Sequence, residues 1–178
     1  IYGGLGLERA EDNLRDTAPR PSEELKSKIA PLMEGFYDVV IIDCPPSLKH
    51  LTSNGLTAAD YVIIPIESGS QYGLYGMSDL LRHIERIKRI NPSLSVLGGL
   101  LVRHDERQSV CKTIQAQAAA QIGKLFETKI PSSTNVNKSA VMNLSVHGVD
   151  RSSKVAREFR ALAQEVGKAI GFRIKGSE

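Results

Sequence analysis

Apolar positions along the chain follow two periods. Val39-Val40-Ile41-Ile42 is a continuous run, mostly β-branched, that ends at Asp43, with Pro45 and Pro46 just beyond. Such a run predicts a central strand covered on both faces. The prolines lack amide donors, so the strand must stop there. Tyr61–Ile66 and Val96–Val102 predict two more strands, and Leu125–Ile130, closed by Pro131, a weaker one. Helical spacing fills the intervals. It covers Leu7–Leu14, then a helix opened by Ser22-Glu23-Glu24, carrying Leu25, Ile29 and Leu32 and ended by Gly35. Asn54–Ala59 reads as the end of another helix. A long amphipathic helix runs from Leu74 through Met77, Leu80, Leu81, Ile84, Ile87 and Ile90 and stops at Asn91-Pro92. Ser109–Ile122 is helical. The last helix follows the N-cap candidates Ser152 and Ser153 and aligns Val155, Phe159, Leu162, Val166 and Ile170. Ser132–Asn143 fits a loop or a short helix. Strands alternating with helices predict an α/β fold with a doubly wound, mostly parallel sheet flanked by helices. Residues 1–178 are expected to form a single α/β domain.

Composition adds limits. Hydrophobic residues make up 41% and charged residues 24%, with net charge +3, which permits nucleic-acid contact without demanding it. The two cysteines, Cys44 and Cys111, form no CxxC pattern. That argues against a disulfide framework, a zinc site or an iron–sulfur cluster, and for a reducing cytoplasm. No apolar run approaches the length of a membrane span, and the start resembles no signal peptide. The chain does not begin with Met, so a fragment of a longer protein is expected.

Asp43 falls at the C-terminal end of the expected central strand, where open α/β sheets place ligands. A carboxylate there suits Mg²⁺ held through a bound water, the physical content of a Walker B element. On the residue alone, a turn or helix cap is an equally good reading. Gly3-Gly4-Leu5-Gly6 is not a phosphate loop, because Leu7 and Glu8 follow where lysine and a hydroxyl are required; a flexible opening loop is expected. Cys44 reads as a small buried packing residue. His104 beside Asp105 reads as a solvated loop after a strand, since no nucleophile motif accompanies it. Arg151, Lys154, Arg157 and Arg160 recur every three residues, and Lys168, Arg173 and Lys175 continue the basic character. A stripe of this kind can track phosphates; a solvated basic face is the alternative, and Glu158 and Glu165 interrupt the stripe.

Together these segments resemble one family. Tyr37-Asp38-Val39-Val40-Ile41-Ile42-Asp43-Cys44-Pro45-Pro46-Ser47-Leu48 is similar to the Walker B segment of ParA/Soj-type ATPases, of the deviant Walker A group that includes MinD. Leu56-Thr57-Ala58-Ala59-Asp60, Val62-Ile63-Ile64-Pro65, Gly73-Leu74-Tyr75-Gly76, Asp105-Glu106-Arg107, Ile130-Pro131 and Asp150-Arg151-Ser152-Ser153-Lys154 extend the likeness over almost the whole chain. The resemblance implies a P-loop NTPase-like fold and an ATP hydrolase of plasmid or chromosome partitioning. It implies ATP and Mg²⁺ as cofactors, a homodimer, nonspecific DNA binding, a ParB-type centromere-binding partner, no membrane, and a cytoplasmic, nucleoid-associated location. Carried onto this chain, Asp43 is the catalytic residue and holds Mg²⁺ through water. Pro45, with Pro46 and Ser47, begins a switch that senses the γ-phosphate, and Pro131 and Ser132 lie by the nucleotide. Lys154, Arg157, Arg160 and Arg107 contact DNA.

Two departures stand out. The family's lysine-rich loop is not in the sequence, so the chain resembles the C-terminal two-thirds of such a protein and is not expected to hydrolyse ATP by itself. After Ile130-Pro131, Lys138 stands where a glutamate is usual and Asn143 where a glycine is usual. The rival readings are a non-hydrolytic DNA-binding or scaffold remnant and a MinD-like ATPase that positions other cargo. Against the latter, Gly171–Lys175 is too short for an amphipathic membrane helix.

Overall fold

In the computed structural model the described residues are Glu11, Leu14, Asp16, 18–33, 37–70 and 72–172. The glycine-rich opening, most of the Leu7–Leu14 helix, Gly35, Arg173 and Lys175 lie outside them. The elements run α1 (Glu24–Met33), α2 (His50–Ala58), β1 (Tyr61–Glu67), α3 (Met77–Ile87), β2 (Ser95–Val102), α4 (Ser109–Ile122), α5 (Thr134–Met142), α6 (Val146–Val149) and α7 (Lys154–Ala169). Two compact units result: one takes the described residues through Val62 together with Ser78–Ser95, the other Ile63–Met77 and the described residues from Val96 on.

In the first unit, α1 half-buries Leu25 and Ile29 and exposes Lys26–Lys28, as its spacing predicts. Its partner α2 buries Thr52–Thr57. Buried Asn54 uses both ends of its amide: Oδ1 accepts from Leu25 N at 2.9 Å, while Nδ2 donates to His50 O at 2.9 Å and to Pro21 O. Asn91 Nδ2 donates to Leu56 O at 3.1 Å and Ala59 O at 2.7 Å. A satisfied buried amide of this kind fixes register where an apolar side chain would only fill space.

The expected central strand over Val39–Ile42 is the main correction. No strand is formed there, and Ile41 is 91% exposed. Among the described residues nothing pairs with its backbone, and a strand exists only with a ladder partner. Alternate side chains still find cover. A Cβ built on Gly55 of α2 would lie 2.5 Å from Cys44 Sγ and 3.4 Å from Ile42 Cγ2. These two residues, two apart in sequence, thus share one side of the run.

β1 and β2, whose residues from Ile63 and Val96 on lie in the second unit, pair in parallel. Asp60 O receives Ser95 N at 2.9 Å before the strands, and Val102 O receives Ser68 N at 3.1 Å at their far end. A third row lies on the other side of β2, bridged in parallel at Gly99–Leu125 and His104–Pro131. It touches at its two ends only, which is why Leu125–Ile130 is not a continuous strand. Between them, Glu165 of α7 takes the amides of Glu127 and Thr128 at 2.8 and 3.0 Å. Gly99 suits this closeness: a Cβ there would lie 2.7 Å from Leu125 Cδ2, 2.8 Å from Ile66 Cδ1 and 2.9 Å from Ile122 Cδ1, and those side-chain ends would have to shift. Leu97, Leu100, Phe126, Ile130 and Val155 form the core, and Phe159, Leu162, Val166 and Ile170 of α7 pack against it. The expected apolar face of the last helix is therefore the one buried.

Helix ends follow their caps. Ser153, not Ser152, caps α7, accepting Ala156 N at 3.3 Å, and Ser133 caps α5, accepting Asn135 N at 3.2 Å. Asn143 ends α5 at φ 51°, ψ 40°. This left-handed position favours glycine and next asparagine, so Asn143 holds a backbone conformation that a glycine would also adopt.

Candidate nucleotide site and basic surface

Asp43 sits in the first unit at the end of the Val39–Ile42 run. It is exposed, and its carboxylate has no hydrogen-bond partner among the described residues. Such a carboxylate is free to accept from the water shell of a divalent cation, so the residue present fits a water-mediated Mg²⁺ ligand. The chain then turns sharply. Ser47 N donates to Pro45 O at 2.8 Å, and buried Thr52 Oγ1 donates to Pro45 O at 3.2 Å and to Ser47 O. Pro45 and Pro46 are thus held as a rigid turn tied to the start of α2. Cys44 is exposed as a residue while its sulfur rests near Gly55; burial of the thiol, with Asp43 beside it, pushes its pKa up and makes it a poor nucleophile. The expectation that Cys44 is a small buried packing residue is corrected to that extent. Among the described residues, no three His, Cys, Asp or Glu side chains cluster as a metal centre.

In the second unit the C-terminal edge of the sheet gathers other predicted residues. Pro131 is bridged to His104, and exposed Ser132 follows it, next to the Ser133 cap. Arg107 lies in the adjacent turn. Its guanidinium forks onto Asp105, Nε at 2.9 Å and Nη2 at 2.8 Å, and that fork holds the Asp105 carboxyl well below the usual carboxylate range. Arg103, at φ +51°, pairs with Glu67 at 3.0 Å. Lys129 pairs with Glu106 at 3.1 Å.

The α7 stripe is divided by use. Arg157 Nη1 donates to Ser152 O, and both Arg160 terminal nitrogens donate to Arg151 O at 3.2 Å. These two arginines fold back to brace the turn before their own helix. Lys154 is exposed and makes no such bond among the described residues.

His104 corrects the expectation of a solvated loop: it is 6% exposed, and its Nδ1 lies 2.9 Å from the hydroxyl of wholly buried Ser68. A second buried pair joins Ser53 Oγ and His83 Nε2 at 3.1 Å. Ser68, Ser53, His83 and Glu165 carry no sequence signal of these roles. Each is a polar residue whose partner lies some thirty positions or more away, at a separation of 36, 30, 30 and 37 residues respectively.

No helix among the described residues is long and apolar enough to cross a membrane. A family model described as an AAA domain matches residues 1–96. A Pseudomonas putida protein is 38% identical over 144 residues, 80% of this chain and 54% of its own length, so the chain spans about half of that relative. The chromosome-partitioning ATPase Soj of Treponema pallidum is 33% identical over 175 residues, 97% of this chain and 68% of its own. Among solved structures, cobyrinic acid a,c-diamide synthase from Mycobacterium smegmatis with bound ADP and magnesium superposes with TM-score 0.76 at 31% identity, over 95% of this chain and 61% of that one. With parallel strands between helices and these matches along nearly its full length, the chain belongs to the ParA/Soj-type family of P-loop ATPases.

Proposed function

We propose that this chain is part of a DNA-partitioning ATPase in which Asp43 holds Mg²⁺ through water beside a bound ATP. The carrying observation is the Asp43 carboxylate itself, exposed and without a hydrogen-bond partner among the described residues, next to a proline turn pinned by Thr52. When bound, Mg²⁺–ATP supplies the scissile phosphoanhydride and the charge neutralisation at its phosphates. The residues of this chain orient and bind: Asp43 accepts from the metal's water, and the Pro45–Ser47 turn beside it senses the γ-phosphate. The 178 residues contain no G-x-x-x-x-G-K-[ST] sequence, so the phosphate cradle is not among them. Lys154, Arg157, Arg160 and Arg107 give the protein a nonspecific DNA surface, used as a homodimer on the nucleoid in the cytoplasm and regulated by a ParB-type partner.

Asp43→Ala in the full-length gene product tests the reading. Hydrolysis is expected to be lost while the circular dichroism spectrum stays unchanged, because the side chain contributes nothing to the core. Retained turnover with a normal spectrum sinks the assignment.

A further inference from the structure

Three chain segments meet at His104. Its amide donates to Ile130 O at 3.0 Å, tying the end of β2 to the third row. Its Nδ1 lies 2.9 Å from Ser68 Oγ, the first residue beyond β1. Ser68 is itself fully buried, with N and Oγ at 3.1 and 3.3 Å from Val102 O. Ser68 also opens the loop that carries exposed Tyr72 and Tyr75 and turns at Gly73 and Gly76. A side chain would not fit at Gly73, where a Cβ would lie 2.1 Å from Glu67 O. The ring's other nitrogen, Nε2, is buried and has no hydrogen-bond partner among the described residues.

This arrangement suits only a neutral ring. When the Ser68 hydroxyl donates to Val102 O, it accepts from Nδ1–H and Nε2 is a bare lone pair; when it donates to Nδ1, Nε2–H is the orphan. Either costs a modest amount. An imidazolium would carry a charged N–H into the same unpartnered position, which is far more costly. The charged groups that bear on the ring come from every packed element: Lys129 from the third row, Glu106 and Asp105 from its own loop, and Lys154 from α7. Burial pushes the His104 pKa down, Lys129 and Lys154 act in the same direction, and the two acids only partly oppose them.

We propose that Ser68–His104 is an acid-sensitive latch, which holds the loop after β1 to the ends of β2 and the third row and opens when the ring is protonated. The ring must then turn toward water to satisfy Nε2–H, and it releases Ser68 in doing so. His104 is a positioning residue in this scheme. It sets three loops at the sheet edge where α/β folds bind ligands, and the latch works whether or not a nucleotide is there.

Hydrogen–deuterium exchange on the full-length gene product tests it, with intrinsic rates corrected for pH. Between about pH 7.5 and pH 5.5, residues 68–76 and 129–133 are expected to lose roughly tenfold in protection, while α4 keeps its own. His104→Asn, which places an amide near the Nδ1 position without titrating, is expected to abolish the pH dependence. If that variant does not fold, Ser68→Ala, nearly equal in volume, is expected to show at pH 7.5 the exchange that the wild type shows at pH 5.5. The proposal is overturned by wild-type protection that is independent of pH, by a loss shared equally with α4, by pH dependence that persists in His104→Asn, or by Ser68→Ala protection equal to wild type.

Discussion

Glu165 on α7 accepts the backbone amides of Glu127 and Thr128 at 2.8 and 3.0 Å. One carboxylate thereby takes the place of a neighbouring strand. It satisfies two donors that the third row cannot give to β2, and it anchors the row that leads to Pro131 and Ser132. Read as sequence, Glu165 only interrupts a basic stripe; in the fold it is what the helix contributes to the sheet.

Removal of that carboxylate should be felt. Burial by itself would raise the Glu165 pKa, but the two amides and the Thr128 hydroxyl outweigh it and hold the group below its ordinary value. A depressed carboxylate pKa contributes stability above the unfolded value, about 4.3, and loses it as pH falls through the folded one. Glu165→Ala is expected to cost roughly 1–3 kcal/mol at neutral pH. The urea midpoints of variant and wild type should converge below about pH 4. A gap that stays constant through the acid range would mean the amides do not depend on the charge.

Gly55 and Cys44 should behave as a coupled pair. A Cβ on Gly55 would fall 2.5 Å from Cys44 Sγ, so Gly55→Ala must displace the sulfur. A loss of roughly 1–3 kcal/mol is expected for the single change. Adding Cys44→Ala removes the clashing atom and should restore much of it, a coupling visible in a double-mutant cycle of urea midpoints. Additive losses would show that the two residues do not meet.

The sheet and the last helix were legible because their signal is local. Tyr61–Glu67 and Ser95–Val102 are apolar runs bounded by breakers, and Phe159, Leu162 and Val166 repeat at helical spacing. Val39–Ile42 carries the same signal and forms no strand: apolarity states that a segment can be covered, and a ladder partner decides whether it is. α5 was ambiguous because Val136, Val141 and Met142 are exposed, leaving no buried face to read. Its limits are set by the Ser133 cap and the left-handed Asn143 instead. Of the predicted cations, Arg157 and Arg160 reach back to carbonyls, an engagement that no spacing rule encodes.

The buried pair Ser53–His83 predicts acid sensitivity in the first unit. Ser53 Oγ donates to Lys49 O at 3.0 Å and so accepts from His83 Nε2–H. Burial lowers the His83 pKa, and Arg86 adds to the effect. The unfolded state therefore binds the proton more readily. The contribution to stability is complete above the unfolded value, about 6.5, and is lost as pH falls from there toward the folded value. His83→Gln should flatten the dependence of the urea midpoint on pH between about 7 and 5. An unchanged slope would assign the acid loss elsewhere.

Lys154 is the clean probe of DNA contact. Substituting Arg157 or Arg160 removes a charge and also unbraces the turn at Arg151 and Ser152, so a loss of binding in those variants has two causes. Lys154 is exposed and braces nothing among the described residues. Lys154→Gln should leave the thermal midpoint within about 2 °C of wild type. Each phosphate contact contributes about 0.9 to the slope of log affinity against log salt, so the slope on random-sequence duplex should fall in magnitude by about that amount per protomer engaged. Sequence preference should not change, because a phosphate contact reads no bases. Arg107→Gln gives the comparison. Its guanidinium is already neutralised by Asp105, so its effect on the slope should be smaller than that of Lys154. Equal slopes for Lys154→Gln and wild type would remove the start of α7 from the DNA surface. A larger change at Arg107 would move that surface to the edge of the sheet.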